Sequence, residues 1–270
     1  MLGSSFVPAT ILLAGLAAAV PATNTTSGAK VPDTTGSQSY ESSLPPVVDA
    51  DPRADNMTLI QALELAPTQK DRVNLLNLPG DFLFDFNKPP KSAVTTGKGG
   101  HTVAATSSTF PAVIGNGVSM TLGFLGPCGL NTPHVHNRAT EFNVVVKGRL
   151  VTNFQVENGV QPRENLLSTF QATVFPQGAI HTEFNPDCED AVFVAGFNNV
   201  DPGVEQIAQT FFNLRPDIIN TTLGSGFVNG EDIESIKNML PANVAAGVEL
   251  CLKKCGKTKR AKMDPRLVFA

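Results

Sequence analysis

Along its middle the chain alternates apolar and polar side chains in short runs, and toward its end the period lengthens. Thr140 to Val146 reads as a strand with Glu141, Asn143 and Val145 on one face and Gly148 at its turn. Ile180 to Phe184 reads as another, opening just after the turn Pro176-Gln177-Gly178. Beyond residue 200 the apolar positions recur at helical spacing over Val204–Asn213, Glu231–Leu240 and Ala242–Cys255, punctuated by Gly230, Pro241 and Gly256. Upstream, a short helix over Thr58–Leu65 stops before Pro67. Ahead of it lies a stretch rich in Thr, Ser, Pro, Gly and Asp that reads as a flexible leader, and ahead of that an apolar run, Ile11 to Val20. This run is too short to span a membrane, and it ends in small residues that a signal peptidase could cut after Ala19 or Ala22. The expected organisation is a signal peptide over 1–22, a leader over 23–57, one domain over 58–256 with a helical tail from about 204, and a basic flexible tail over 257–270.

Composition narrows the classes. At 270 residues and a mean hydropathy of +0.01, the chain suits one β-rich domain of about 200 residues plus extensions. The net charge is −4, and the one basic cluster, Lys253-Lys254 with Lys257 to Lys262, reads as a solvated end in which Lys259-Arg260 could be a dibasic processing site. Neither nucleic acid nor a membrane is an expected partner. The sequons at Asn24, Asn56 and Asn220 and the even number of cysteines agree with passage through a secretory pathway. No Walker loop, dinucleotide fingerprint or Ser-His-Asp arrangement is present.

The chemistry sits in two short segments. His134 and His136 are two apart, so on a strand both project from one face, which is chelate spacing. Glu141 lies an odd number of residues beyond His136, and the bend at Asn137-Arg138-Ala139 can return its carboxylate beside the imidazoles. His181 arrives at the head of the strand after Pro176-Gln177-Gly178, and a barrel would bring all four together. His101, in a glycine-rich loop, reads as an ordinary hydrogen-bonded histidine. Three imidazoles and one carboxylate leave room for two waters around an octahedral ion, which suits manganese or iron better than a closed zinc site. Regular alternation also puts Glu183 and Asn185 on the face of His181; a bulge after the turn, the commoner outcome, would rotate Glu183 outward.

These residues carry a resemblance. Gly129-Leu130-Asn131-Thr132-Pro133-His134-Val135-His136, with Arg138-Ala139-Thr140-Glu141 and Gly148, resembles the first cupin motif, and Phe175-Pro176-Gln177-Gly178-Ala179-Ile180-His181 through Asn185 resembles the second. The flavour is that of germin-like proteins and spherulins, over about Phe82 to Lys254. Where those motifs open with glycine this chain has Cys128 and Phe170, which is expected to change the local turns.

The resemblance implies an all-β core in the form of a cupin double-sheet jelly-roll barrel with C-terminal α-helices, Mn(2+) (alternatively Fe) held by His134, His136, Glu141 and His181, secretion to the extracellular space, and a homo-oligomer, dimer or hexamer. Asn131 matches an asparagine that contacts substrate in the family's oxalate oxidases, although Asn131-Thr132-Pro133 is also ordinary turn chemistry. Thr121 stands where those enzymes carry a second asparagine, which lowers the rank of oxalate oxidation. Because the two motifs meet at the metal, their flanking cysteines are expected to pair as Cys128 with Cys188, leaving Cys251 and Cys255 free or joined at a frayed helix end. Two functions remain. One is a manganese oxidoreductase acting on superoxide or a small organic acid, with Asn131 and Glu183 positioning substrate or protons. The other is a non-catalytic structural or storage glycoprotein of a wall or spore coat. A sugar-binding role is disfavoured by the absence of tryptophan and a single tyrosine, Tyr40, in the leader.

Overall fold

The computed structural model describes residues 56–224, 230–241 and 243–256. The apolar run at 11–20, the leader through residue 55, the Asn24 sequon and the basic end from 257 lie outside the described residues. Within them, alternating burial builds two antiparallel sheets. One runs β1 (Val94–Gly97), β2 (Gly100–Ala105), β3 (Ser119–Leu125), β10 (Ala191–Phe197), β5 (Glu141–Lys147), β8 (Ala172–Phe175) from edge to edge. The other runs β11 (Glu205–Gln206), β4 (Gly129–Val135), β9 (Ile180–Phe184), β6 (Arg149–Gln155), β7 (Arg163–Ser168), with β12 (Val244–Ala246) beside β11 on the outer edge of β4. Between the sheets the inward positions of these strands, among them Leu125, Val145, Leu150, Phe193 and Phe197, form one apolar core. Gly123 is required there, since a Cβ on it would come within 2.1 Å of the Phe193 ring. The expected double-sheet barrel is therefore what the chain forms.

Before the barrel, α1 (Met57–Leu65) begins at Asn56, whose side chain accepts a hydrogen bond from the Leu59 amide. A second short helix, α2 (Gln69–Leu75), was not legible in the pattern; its N-cap is Thr68. Leu59, Leu63 and Leu76 pack with Ala112 and Ile114 in a satellite cluster.

After the barrel the tail departs from its expected helices. The segment 204–213 opens as strand β11 and turns helical only at α3 (Ile207–Phe212). Next comes α4 (Pro216–Thr222), which carries the Asn220 sequon, and then α5 (Gly230–Met239) as expected. The segment expected as one helix over Ala242–Cys255 splits around Gly247 into β12 and α6 (Glu249–Lys254). The reason is the open edge of β4, whose backbone groups β12 pairs at Gly129, Leu130 and Asn131. The buried Ile219 and Ile233 pack with Phe211, Phe212 and Ile236, so the apolar stripes of α3, α4 and α5 meet within one chain.

The disulfides differ from the expected pairing. Cys128 bonds Cys251 and Cys188 bonds Cys255, leaving no cysteine free. The flanks of β4 and β9 do come together, as expected. What the sequence hid is that α6 lies over both, with two cysteines one helical turn apart, so each takes one flank. The turns at Cys128 and Phe170 also correct an expectation: both residues keep the left-handed backbone that suits glycine, at φ 59° and 67°.

Candidate metal centre

Two strands from one sheet and one strand from the other supply the cluster. His134 lies on β4 and His136 just past its end, His181 is the register partner of His134 on β9, and Glu141 opens β5 in the facing sheet. The bend at 137–139 thus carries the chain across the barrel rather than into a neighbouring strand. Arg138 fixes that crossing, since its amide donates to the Pro202 carbonyl at 3.0 Å and its guanidinium pairs with Asp201. All four side chains are at most 5 % exposed. One potential ligand atom from each, an imidazole nitrogen or a carboxylate oxygen, lies within 4.8 Å of the others. Glu141 Oε2 stands 3.1 Å from His136 Nε2 and 3.2 Å from His181 Nε2.

The tautomers follow from the other ring nitrogen. Nδ1 of His134 is 2.9 Å from the Thr132 carbonyl, that of His136 2.7 Å from Gly203, and that of His181 2.9 Å from Ala179. A carbonyl only accepts, so each Nδ1 carries a proton and it is Nε2 that turns inward, as a lone pair when the ring is neutral. Glu141 Oε1 accepts from Asn143 Nδ2 at 2.9 Å, which leaves Oε2 for the interior. Aromatic walls complete the surround, with Phe175 stacked on His181 at 4.2 Å and Phe197 against His136 at 4.5 Å.

The charges show what the cluster lacks. Burial, with the nearby His181 and His136, pushes the His134 pKa down to about 3. His181 moves the other way, to about 9: burial would lower it, and its hydrogen bond to Glu141 and the charges of Glu183 and Glu141 outweigh burial. For Glu141 burial works upward, yet hydrogen bonds from His136 and His181 hold the carboxyl well below its ordinary value. Each of those hydrogen bonds needs a proton on an inward Nε2, and a divalent ion would take the place of those protons, with three imidazoles and a carboxylate already aimed. The donor set of three imidazole nitrogens and one oxygen fits a transition-metal ion with open positions.

Asn131 and Glu183 lie in the same interior. Strict alternation would put Asn131 on the opposite face from His134. The β4–β9 ladder instead spans three steps on β4, from Asn131 to His134, against two on β9, from Glu183 to His181. One extra residue at Thr132-Pro133, where proline has no N–H to donate, turns both side chains inward. Asn131 is therefore inside a strand and not in a turn, and its Nδ2 donates to Glu183 Oε2 at 2.9 Å. Glu183 is fully buried, which excludes the outward bulge. Burial and the charge of Glu141 raise its pKa to about 8. Thr121 sits on the inward row with Ala195 and Asn143, and His101 stacks on Phe124 on the outer face. Asn143 was legible by alternation with Glu141. The Gly203 carbonyl was not, because it comes from a loop 67 residues from His136 with no ligand-like side chain.

Three comparisons bear on this geometry. The chain is 45 % identical to Spherulin-1A of Physarum polycephalum over 198 residues, 73 % of this chain and 79 % of that protein. It is 28 % identical to Oxalate oxidase GF-2.8 of Triticum aestivum, covering 60 % of this chain and 74 % of that one. A solved structure of recombinant oxalate oxidase in complex with glycolate superposes with a TM-score of 0.52 at 26 % identity, over 60 % of this chain and 82 % of its own. The profile of the Cupin family matches residues 84–232, which span both motifs and all four clustered side chains. The chain belongs to the cupin family, among the spherulins and germin-like proteins.

Proposed function

We propose that this protein is a secreted manganese cupin that works as an oxidoreductase on a small oxygen species, superoxide foremost, with a small organic acid as the other substrate class. The observation that carries the reading is the convergence of three Nε2 lone pairs and Glu141 Oε2, each fixed by a second hydrogen bond behind it. A bound manganese ion would supply one-electron redox capacity and charge stabilisation at open coordination positions. His134, His136, Glu141 and His181 would hold it. Asn131 orients a small molecule beside it. Glu183, whose Oε1 lies 3.9 Å from His181 Nε2, would carry the protons needed when two superoxide ions and two protons become dioxygen and hydrogen peroxide. With Thr121 in the inward row, oxalate finds only one of the two amides expected of an oxalate site.

A second reading, a non-catalytic structural or storage glycoprotein, is favoured by the closure of the cluster and by two disulfides that clamp the strands carrying it. In that case the ion contributes stability by linkage. Elemental analysis of the secreted protein, with superoxide-dismutase and oxalate-consumption assays on the same sample, separates the two. About one manganese per chain with superoxide turnover supports the enzyme; the same loading without turnover supports the structural reading. Protein handled without chelators that carries no metal overturns both.

A further inference from the structure

The three imidazoles of the cluster are not held alike. His134 and His181 give their Nδ1 protons to carbonyls two residues back on their own chain segments, Thr132 and Ala179, so whatever fixes the strand fixes the ring. His136 stands past the end of β4, and its Nδ1 donates to the Gly203 carbonyl at 2.7 Å, on the loop 198–204 that joins β10 to β11. The first half of that loop is tied to the barrel by Ser119 Oγ, which donates to the Asn199 carbonyl at 2.6 Å, and by the Ser107 amide, which donates to the Val200 carbonyl at 2.9 Å. The second half, residues 201–204, rests on Arg138. The Arg138 amide donates to the Pro202 carbonyl at 3.0 Å; its guanidinium donates from Nε to the Asp201 carbonyl at 3.0 Å and from Nη2 to the Asp201 carboxylate at 2.6 Å. The same guanidinium lies so close to Gly203, at φ 66°, that a Cβ there would come within 3.0 Å of it, and the Gly203 amide donates back to Asp201 Oδ1 at 3.3 Å. This fastening is on the surface: the side chains of Arg138 and Asp201 are 52 % and 58 % exposed, and of residues 201–204 only Pro202 is buried.

Resting on the metal reading above, we propose that Arg138 is a positioning residue for the metal: with Asp201 it latches residues 201–204, the Gly203 carbonyl of that strap orients His136, and His136 is the ligand that lets go first on metal release. An exposed ion pair adds little to the stability of a whole fold, yet it can govern a local opening that breaks few other contacts. When the strap lifts, His136 Nδ1 loses its acceptor, and the ring loses what sets its tautomer and direction. Neither His134 nor His181 can be loosened in this way, because their carbonyls move only with the segments that bear the rings. Outer partners of ligating histidines carry about 10- to 100-fold in metal affinity, and here that leverage is handed to a pair of charges in contact with solvent.

Arg138→Gln in the full, manganese-loaded protein tests this, with Arg149→Gln as its control. The control removes another partly exposed Arg–Asp pair, that with Asp187, at the far end of β6 from Phe154, the register partner of His181. The readout is the rate of manganese release into excess chelator, where the rate no longer depends on chelator concentration, with urea midpoints measured alongside. Arg138→Gln is expected to load about one manganese per chain and to release it about tenfold faster than wild type, and Arg149→Gln to release it at the wild-type rate. A general loss of stability would speed both variants alike. Salt at about 1 M, which screens exposed pairs, is expected to speed release from wild type several-fold and to leave Arg138→Gln unchanged. Where Arg138→Gln fails to fold, Asp201→Asn decides: it keeps the residue-201 carbonyl and an acceptor for the Gly203 amide but removes the charge, and several-fold faster release is expected. Release at the wild-type rate from the latch variant, or equal acceleration in Arg149→Gln, overturns this inference and leaves the metal reading standing. If the wild-type chain takes up no manganese, both fall together.

Discussion

Replacing Cys128 and Cys251 together by alanine removes one of the two links between α6 and the barrel, and its cost can be worked from the chain. The bridge closes a loop with a sequence separation of 123 residues, for which the chain-entropy relation gives about 5 kcal/mol. The other bridge does not make this one redundant. With Cys188–Cys255 in place, the path from Cys128 through that link to Cys251 still runs about 64 residues, by the separations 128 to 188 and 251 to 255, and closing it is worth about 4 kcal/mol. Part of this is lost to residual structure in the unfolded chain, so a loss of about 3–4 kcal/mol is expected. With no tryptophan, urea unfolding is followed by far-UV circular dichroism, comparing midpoints at unchanged slope. The effect should reach the metal cluster, because Cys128 directly precedes β4 and holds the start of the strand that carries His134. Manganese affinity in the double variant is therefore expected to fall several-fold while stoichiometry stays at one. A stability loss under 1 kcal/mol would refute the clamp, and so would disulfide mapping that finds Cys128 joined to Cys188.

His136→Ala should abolish metal binding with the fold intact by circular dichroism, whereas His101→Ala, on the outer face against Phe124, should leave loading unchanged; equal loading of both variants would sink the site. In chelated protein, His181 titrates at about 9 in the folded state against about 6.5 unfolded. Its contribution is thus full below pH 6.5 and lost as pH rises through 9, so the urea midpoint of metal-free protein should fall from pH 7 to 9. A rise over that range would contradict the hydrogen bond to Glu141 as the cause. Phe170→Gly relieves a left-handed backbone at a side chain 83 % exposed, and should stabilise by about 0.5–1 kcal/mol, read as a shift in urea midpoint; destabilisation would show that Phe170 packs against something. Gly123→Ala drives a methyl into Phe193 and should cost more than 2 kcal/mol by the same assay, with an unchanged midpoint counting against the register of β3 and β10.

Much of the barrel was legible because its signals are local. Alternation in Thr140–Val146 and Ile180–Phe184 marked which side chains face inward, and the two histidine segments offered candidate ligands by residue type, strand parity and turn placement together. The tail was less legible, since β12 is a strand only because β4 has an edge to offer, and no pattern within Val244–Ala246 encodes that. The disulfides failed for a related reason. Proximity of Cys128 and Cys188 followed from the motifs, but the third element lying across both is a long-range fact, and four cysteines carry no label for their partners.

Asn131 shows how a single residue decides the reading of a site. Counting by twos from His134 puts it outside the barrel, where an asparagine before Thr-Pro is unremarkable turn chemistry. The extra residue at Thr132-Pro133 reverses its face, and with it the environment of Glu183, whose Oε2 would otherwise lack the Asn131 amide as a partner. The bulge is written in the sequence only as a proline, which cannot donate to the ladder and so marks where a strand must slip. It follows that the polarity of the interior, and not only its metal ligands, depends on Pro133. Replacing Pro133 with a residue that can pair invites the regular register, which would withdraw Asn131 from Glu183 while leaving the His134 and His181 pairing available. Retained manganese with Asn131 turned away from Glu183 in the crystal structure of such a variant is the result this argument requires; loss of manganese itself would mean that the bulge positions the histidines as well.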